Sequence, residues 1–131
     1  MAGVKFQHIK TCMVDDVAVV EVLACELRFP HQARELGDEL ALVVGQDWAS
    51  RLVIDMRHTK YLSSTGFAIL VSLVKQARKL NHEIKFCNFD PQVRIGADII
   101  GLDKVAEIRD TEHDALRAFS AEAAGETRDI H

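Results

Sequence analysis

The stretch Arg51–Asp55, RLVID, constrains the fold more than any other part of this chain. It is short, apolar without interruption and rich in β-branched residues, so it is a strand that cannot leave either face in water. Such a strand needs helices on both sides of its sheet, and the flanking sequence supplies them. Gln32 to Val44 places Ala33, Leu36, Leu40 and Val43/Val44 at helical spacing, with Arg34, Glu35, Asp38 and Glu39 outside. Phe67 to Leu80 reads as a second helix, introduced by the hydroxyl run Ser63-Ser64-Thr65 and closed by Lys75, Arg78 and Lys79, which suit the helix dipole.

The remaining elements follow the same logic. Val4 to Met13 is extended in character, with Val4, Phe6 and His8 on one face, and Asp15-Asp16 is a turn into the strand Val17 to Leu23. Glu83 to Cys87 is a further strand. Asp90-Pro91 is an N-cap followed by proline at the first helical position, opening a helix that stops near Gly101. Val105 to Ile108 is a candidate short edge strand. Thr111 with Asp114 resembles a capping box for a last helix ending near Ala124, and Gly125 to His131 is a polar tail. The expected fold class is α/β: one domain over residues 1–124, with a mixed four- to five-stranded β-sheet and about four α-helices. Parallel crossovers join its strands after an opening hairpin.

Composition removes several function classes. With 131 residues, 48% hydrophobic and 27% charged, the chain suits a single globular core. Its net charge of -4 gives no basic face for nucleic acid. The longest apolar stretch, Phe67 to Val74, is far short of the ~20 residues of a membrane span, and MAGVKFQHIK lacks the apolar region of a signal peptide. Cys12, Cys25 and Cys87 are odd in number and widely spaced, so they are expected to be reduced core residues of a cytoplasmic protein.

No catalytic constellation is visible. The six histidines form no metal-spaced pair, no CxxC exists, Gly96 and Gly101 do not make a dinucleotide loop, and Ser64 lacks the elbow context of a hydrolase nucleophile. No metal, cofactor or enzyme activity is expected. Trp48 is expected to act as a packing cover, Asp55 to orient the loop after its strand, and His58 and Lys60 to be solvated loop residues.

The informative segment is Arg51 to Gly66, RLVIDMRHTKYLSSTG. Capping explains one hydroxyl at a helix start and is worth about 1 kcal/mol. Three hydroxyls before a glycine admit a second reading. A phosphate there would meet free backbone N–H groups and the positive end of the helix, so the fold would tolerate it. A partner lying flat on the same spot would have to bury a charge of about -2. An unpaired charge costs roughly 3–5 kcal/mol, or about two to three orders of magnitude in affinity.

These residues resemble a known family. Val53-Ile54-Asp55, a seven-residue loop and Ser63-Ser64-Thr65-Gly66-Phe67 are similar to the STAS signature, and Val17 to Leu27 resembles the family's second strand running into "GEL". Gly101-Leu102-Asp103-Lys104-Val105 is similar to its late "GLD" segment, so the resemblance spans roughly Val4 to Phe119. It implies the STAS fold and the role of an anti-sigma factor antagonist. Such a protein binds an anti-sigma factor that is also a serine/threonine kinase, is released by phosphorylation, and is reset by a phosphatase. The phosphorylated position would be Thr65, with Ser64 beside it, and Ser63, Gly66, Phe67, His58 and Arg28 would belong to the partner surface. By the same resemblance Phe29-Pro30-His31 borders the same end of the sheet and is a candidate extension of that surface. Two residues depart from the family pattern: Ser63 stands where an acid precedes the two hydroxyls, and Arg28 where an aspartate often follows "GEL". The alternative implied by the same resemblance is an unphosphorylated STAS subunit that regulates a transporter or a stress-signalling assembly.

Overall fold

A computed structural model gives the structure of the protein and describes residues 6–129, with side chains through Ala123. The chain opens with a hairpin of β1 (Ile9–Val14) and β2 (Val17–Val22), paired antiparallel with Val14 opposite Val17. The turn between them puts Asp15 at φ 53°, a left-handed conformation that aspartate tolerates. After β3 (Glu26–Leu27) come α1 (Pro30–Val44), β4 (Arg51–Asp55), β5 (Tyr61–Leu62), α2 (Ser64–Lys79) and β6 (Glu83–Cys87). The chain ends with α3 (Pro91–Ile100), the single turn α4 (Leu102–Val105), β7 (Glu107–Arg109) and α5 (Glu112–Asp129).

The main sheet has five strands in the order β1-β2-β4-β6-β7, with β2, β4, β6 and β7 parallel. It is the mixed sheet expected from a hairpin followed by strand–helix–strand crossovers. β4 and β6 coincide with the expected strands: β4 is a continuous apolar run, which at this length has few alternatives, and β6 alternates charged and apolar residues up to Phe86. Four elements are additional: the two-residue strands β3 and β5, which pair parallel in a small second sheet, a 3₁₀ turn at Asp47–Ala49, and α4. The last strand falls at Glu107–Arg109 instead of Val105 to Ile108, because Gly101, at φ 82°, starts a helical turn that uses Val105. β1 begins at Ile9, so Phe6 and His8 precede it, while Val4 lies outside the described residues. α5 runs past Ala124 to Asp129.

Two unequal cores sit on the two faces of the sheet. On one, Ala18, Val20 and Val22 of β2, Leu52 and Ile54 of β4, and Ile84 and Phe86 of β6 meet Leu36, Leu40, Val43 and Val44 of α1 and Leu70, Leu73, Val74 and Ala77 of α2. On the other, Val17, Val19, Val53 and Cys87 meet Ala115 and Phe119 of α5, with Leu116 and Val14 partly buried against them. That face also holds Lys85, which is fully buried. Its Nζ bonds Glu83 Oε2 at 2.9 Å and Glu122, lies 3.5 Å from Glu107 and stands 4.5 Å above the Phe119 ring. Burial alone would lower the pKa of this lysine, but its hydrogen bonds to Glu122 and Glu83 outweigh that and raise it.

The cysteines correct an expectation. Cys87 is buried as expected, but Cys12 and Cys25 are exposed, because β1 is an edge strand and Cys25 sits in the loop after β2. Trp48, in a short 3₁₀ turn, is 39% exposed. Phe86 is fully buried at the centre of the larger core. Truncating it, Phe86→Ala, is expected to lower unfolding free energy by about 3–5 kcal/mol, read from urea denaturation followed by circular dichroism.

Candidate functional site

The candidate site is the start of α2, and the segment before it is unusually well tied down. β4 ends on Asp55, whose carboxylate is fully buried. Its Oδ1 accepts from the Arg57 backbone N–H at 3.0 Å and from Asn88 Nδ2 at 3.2 Å, and its Oδ2 accepts from Arg57 Nε at 3.0 Å. Burial pushes the Asp55 pKa up, but the hydrogen bonds from Arg57 and Asn88 outweigh it and hold the carboxyl below the usual aspartate range. The Arg57 guanidinium also reaches Glu112 Oε1 at 3.3 Å, at the first residue of α5. Glu112 is shifted the opposite way, raised by partial burial and by the nearby Asp55.

Past Arg57 the loop runs parallel to the segment after β2. Thr59, fully buried, donates its hydroxyl to Ala24 O at 2.8 Å, and Lys60 N donates to Cys25 O at 2.7 Å. The pairs Glu26–Tyr61 and Leu27–Leu62 follow, and Ser63 N donates to Leu27 O at 3.0 Å. This small ladder carries Arg28 to a place beside Ser63. Arg28 bonds Glu26 at 2.8 and 3.2 Å and lies 4.3 Å above the Tyr61 ring.

Ser63 is the N-cap: its Oγ accepts from Gly66 N at 3.2 Å and its carbonyl from Phe67 N at 3.0 Å. The cap uses up this hydroxyl. Ser64, first in the helix, is exposed and Thr65 is half-buried. Gly66 and Phe67 are buried and do not form outer surface. A Cβ on Gly66 would stand 2.3 Å from Leu62 Cδ1, so glycine is what lets Leu62 tuck under the first turn. Phe67 supports α3, whose Gly96 lies so close that a Cβ there would stand 2.7 Å from the ring.

His58 stands apart from this group, with Nε2 2.8 Å from Glu21 Oε1 at the end of β2. Lys60 pairs with Asp90 at 3.6 Å. Phe29 and His31 stack, with ring centroids 6.1 Å apart, and Phe29 is 58% exposed. The structure thus brings Arg28, Ser63, Ser64 and Thr65 together, places Gly66 and Phe67 beneath them, and leaves His58 on the other side of the loop.

Sequence reasoning missed two features. One is the Asp55–Arg57–Glu112 network, whose single sequence signal was a charge at the end of an apolar strand. The other is the outer face of α3, where Ile95 is 54% and Ile99 82% exposed, one turn apart and on the helix that rests on Phe67. A ten-residue helix with apolar residues all around it, Val93, Ile95, Ala97, Ile99 and Ile100, was the available signal, because such a helix is normally buried. Among the described residues, no three His, Cys, Asp or Glu side chains are placed to hold a metal ion, and no helix is long and apolar enough to cross a membrane.

Comparison with known proteins agrees with this geometry. The family model described as STAS domain matches residues 16–115. The chain belongs to the STAS domain family. BtrV of Bordetella bronchiseptica, a protein named as an anti-sigma factor antagonist, is 30% identical over 87 residues, 66% of this chain and 74% of its own. An anti-sigma factor antagonist from Mycobacterium paratuberculosis superimposes with a TM-score of 0.74 at 29% identity, covering 84% of this STAS chain and 91% of that one. The Bacillus cell fate determinant SpoIIAA in its phosphorylated form shares the fold, with a TM-score of 0.63 at 15% identity over 85% of this chain and 98% of that one.

The Asp55 network makes a pH prediction for this STAS domain. A carboxyl held below its unfolded value stabilises the fold above that value and loses its contribution as the pH falls through the depressed one. Asp55→Asn is therefore expected to cost about 2 kcal/mol at neutral pH, as hydrogen bonds to a charged group do. The difference from the unmodified protein should shrink below about pH 4. Chemical denaturation at a series of pH values measures this, and a pH-independent difference contradicts it.

Proposed function

We propose that this STAS domain is an anti-sigma factor antagonist, a non-enzymatic cytoplasmic module. In this reading it binds an anti-sigma factor that is also a serine/threonine kinase, and phosphorylation at the start of α2 releases it. The observation that carries the reading is the pair Ser64–Thr65, which stands on a capped helix start next to an exposed apolar ridge. Ser64 is exposed, Thr65 is half-buried, and neither hydroxyl has a hydrogen-bond partner in the chain among the described residues. Ser63 is already used as the cap. Names of relatives point the same way, since BtrV and the mycobacterial protein are both called anti-sigma factor antagonists.

The physical mechanism needs no rearrangement. Phosphate on Thr65 or Ser64 would lie at the positive end of a helix of 16 residues, where the first N–H groups have no intrahelical acceptor. The nearest cations are already paired, Arg28 with Glu26 and Lys60 with Asp90. A docked partner would therefore have to bury the new charge without a ready countercharge. The partner surface comprises Arg28, Ser63 and the Ser64–Thr65 pair, with Ile95 and Ile99 as its apolar flank. Gly66 and Phe67 set its shape from below, and His58 is assigned to its margin. A phosphatase would restore the binding form.

Ser63 and Arg28 depart from the pattern of the family without removing what the site needs. Serine caps a helix about as well as aspartate, and the structure shows it doing so. The Arg28 charge is met by Glu26, two residues earlier.

Thr65→Glu is expected to weaken binding to the cognate kinase by about two to three orders of magnitude in calorimetry, with the thermal melt unchanged. Undiminished affinity, or no phosphate on Ser64 or Thr65 after incubation with that kinase and ATP, contradicts the switch. Ile99→Asp, at a site 82% exposed, should weaken the same complex and leave the fold intact.

A further inference from the structure

Among the described residues, the outer edge of β1 is free along a short, defined length. In the β1–β2 ladder Ile9 faces Val22, and Leu23 N donates to His8 O at 2.9 Å. In an antiparallel ladder hydrogen-bonded and non-bonded pairs alternate. Lys10, Cys12 and Val14 therefore bond β2, while the N–H and C=O groups of Ile9, Thr11 and Met13 point away from the sheet.

This free run is closed at both ends. Before it, the Glu39 carboxylate of α1 accepts the backbone N–H groups of Gln7 and His8, both at 2.9 Å. After it, the chain turns away at Asp15. What stays open is a ladder centred on Thr11, with no proline or bulge and with Lys10 as the one charge of the kind that blunts edge strands. Met13, on this strand, is 48% exposed.

We propose that this edge is an interface between two copies of the chain, paired antiparallel along β1 about a two-fold axis through Thr11. The run is symmetric about its own centre, so a second copy satisfies each open group: Thr11 exchanges bonds with Thr11 of the copy, and Ile9 with Met13. Side chains agree with that register. Met13 comes to lie beside Ile9 of the copy, which shields an exposed apolar side chain, and Thr11 meets its own equivalent, a favourable cross-strand pair. On the opposite face Lys10 faces Cys12 and not another lysine. The edge is at the far side of the sheet from β7, and neither its register nor its test uses a residue of the proposed α2 surface.

The test is sedimentation over ~1 µM to ~1 mM, a range that suits a small interface, comparing the unmodified protein with Thr11→Pro. Proline at an outward-facing edge position removes a donor without taking a bond from β2. The unmodified protein should show a concentration-dependent dimer, and the variant should lose at least about tenfold in affinity, equivalent to 1.4 kcal/mol. A monomer throughout the range, or unchanged association by a folded Thr11→Pro, overturns the proposal.

A second measurement holds if Thr11→Pro does not fold. In a Cys12→Ser, Cys25→Ser background, Thr11→Cys places two thiols across the axis at a Cα separation of about 5.5 Å, within disulfide range. It should give a covalent dimer on oxidation. Met13→Cys should not, since its two copies would lie about 13 Å apart along the strands. Equal crosslinking by both, or by neither, overturns the register.

Discussion

The buried carboxylate of Asp55 is the constraint from which the functional end of this domain is built. A charged group with no solvent exposure at the end of a central strand is stable only when its oxygens are satisfied, and donors from two places satisfy them while a third element joins behind. Arg57 does so from the loop that follows, Asn88 from the end of β6, and Glu112 joins through Arg57 from α5. One group thus fixes the exit of β4, its spacing from β6 and the start of the last helix. The loop to α2 begins from this fixed point and is then clipped to the segment after β2 by Thr59, Lys60 and Ser63. The hydroxyls at the start of α2 are therefore held by a chain of directional bonds that runs from the strand end to the cap.

The two faces of the sheet are stabilised by different physics. The face under α1 and α2 is a conventional apolar core, where burying each large side chain contributes roughly 1.5–3 kcal/mol. The face under α5 has a short apolar seam with ion clusters at its ends, Arg57 with Glu112 at one and Lys85 with Glu83, Glu107 and Glu122 at the other. A buried ammonium surrounded by carboxylates contributes little net stability against an apolar alternative, but losing its partners is costly. It specifies where α5 lies more than it strengthens the fold. The helix is thereby fixed in register along the sheet, and through Arg57 that register is shared with the loop leading to the candidate site.

Most of this architecture was legible in the sequence because its signals are local. RLVID is too short and too apolar to be anything but a buried strand, EIKFC reads as a strand from its alternation of charged and apolar residues, and Asp90-Pro91 and Ser63 announce helix starts through capping chemistry that acts over three residues. The features that escaped reading depend on distant partners. Nothing near Lys85 in the chain says that it will be enclosed, since Glu107 and Glu122 arrive from other elements. β3 and β5 have two residues each and exist only because their segments happen to run side by side. Cys12 and Cys25 looked like core residues from their apolar neighbours, yet their exposure is decided by which strand lies at the edge. The hydroxyl run was visible, but its division of labour was not. Only the geometry shows Ser63 used as a cap, Ser64 exposed and Thr65 half-buried.

That division bears on how a small modification can control binding without a change of shape. A serine that caps a helix is part of the fold, because its oxygen holds a backbone N–H that would otherwise lack a partner. The next two hydroxyls hold nothing among the described residues, so changing them alters the surface and not the structure beneath it. The underside is rigid for steric reasons: Gly66 admits Leu62, and Gly96 admits the ring of Phe67, with no room for a Cβ at either place. A rigid base keeps the apolar ridge of α3 at a constant distance from the hydroxyls. Under the proposed switch, charge added at one edge of that surface would act on whatever lies across both, and the energy would appear in the complex because the free domain has so little of it to absorb.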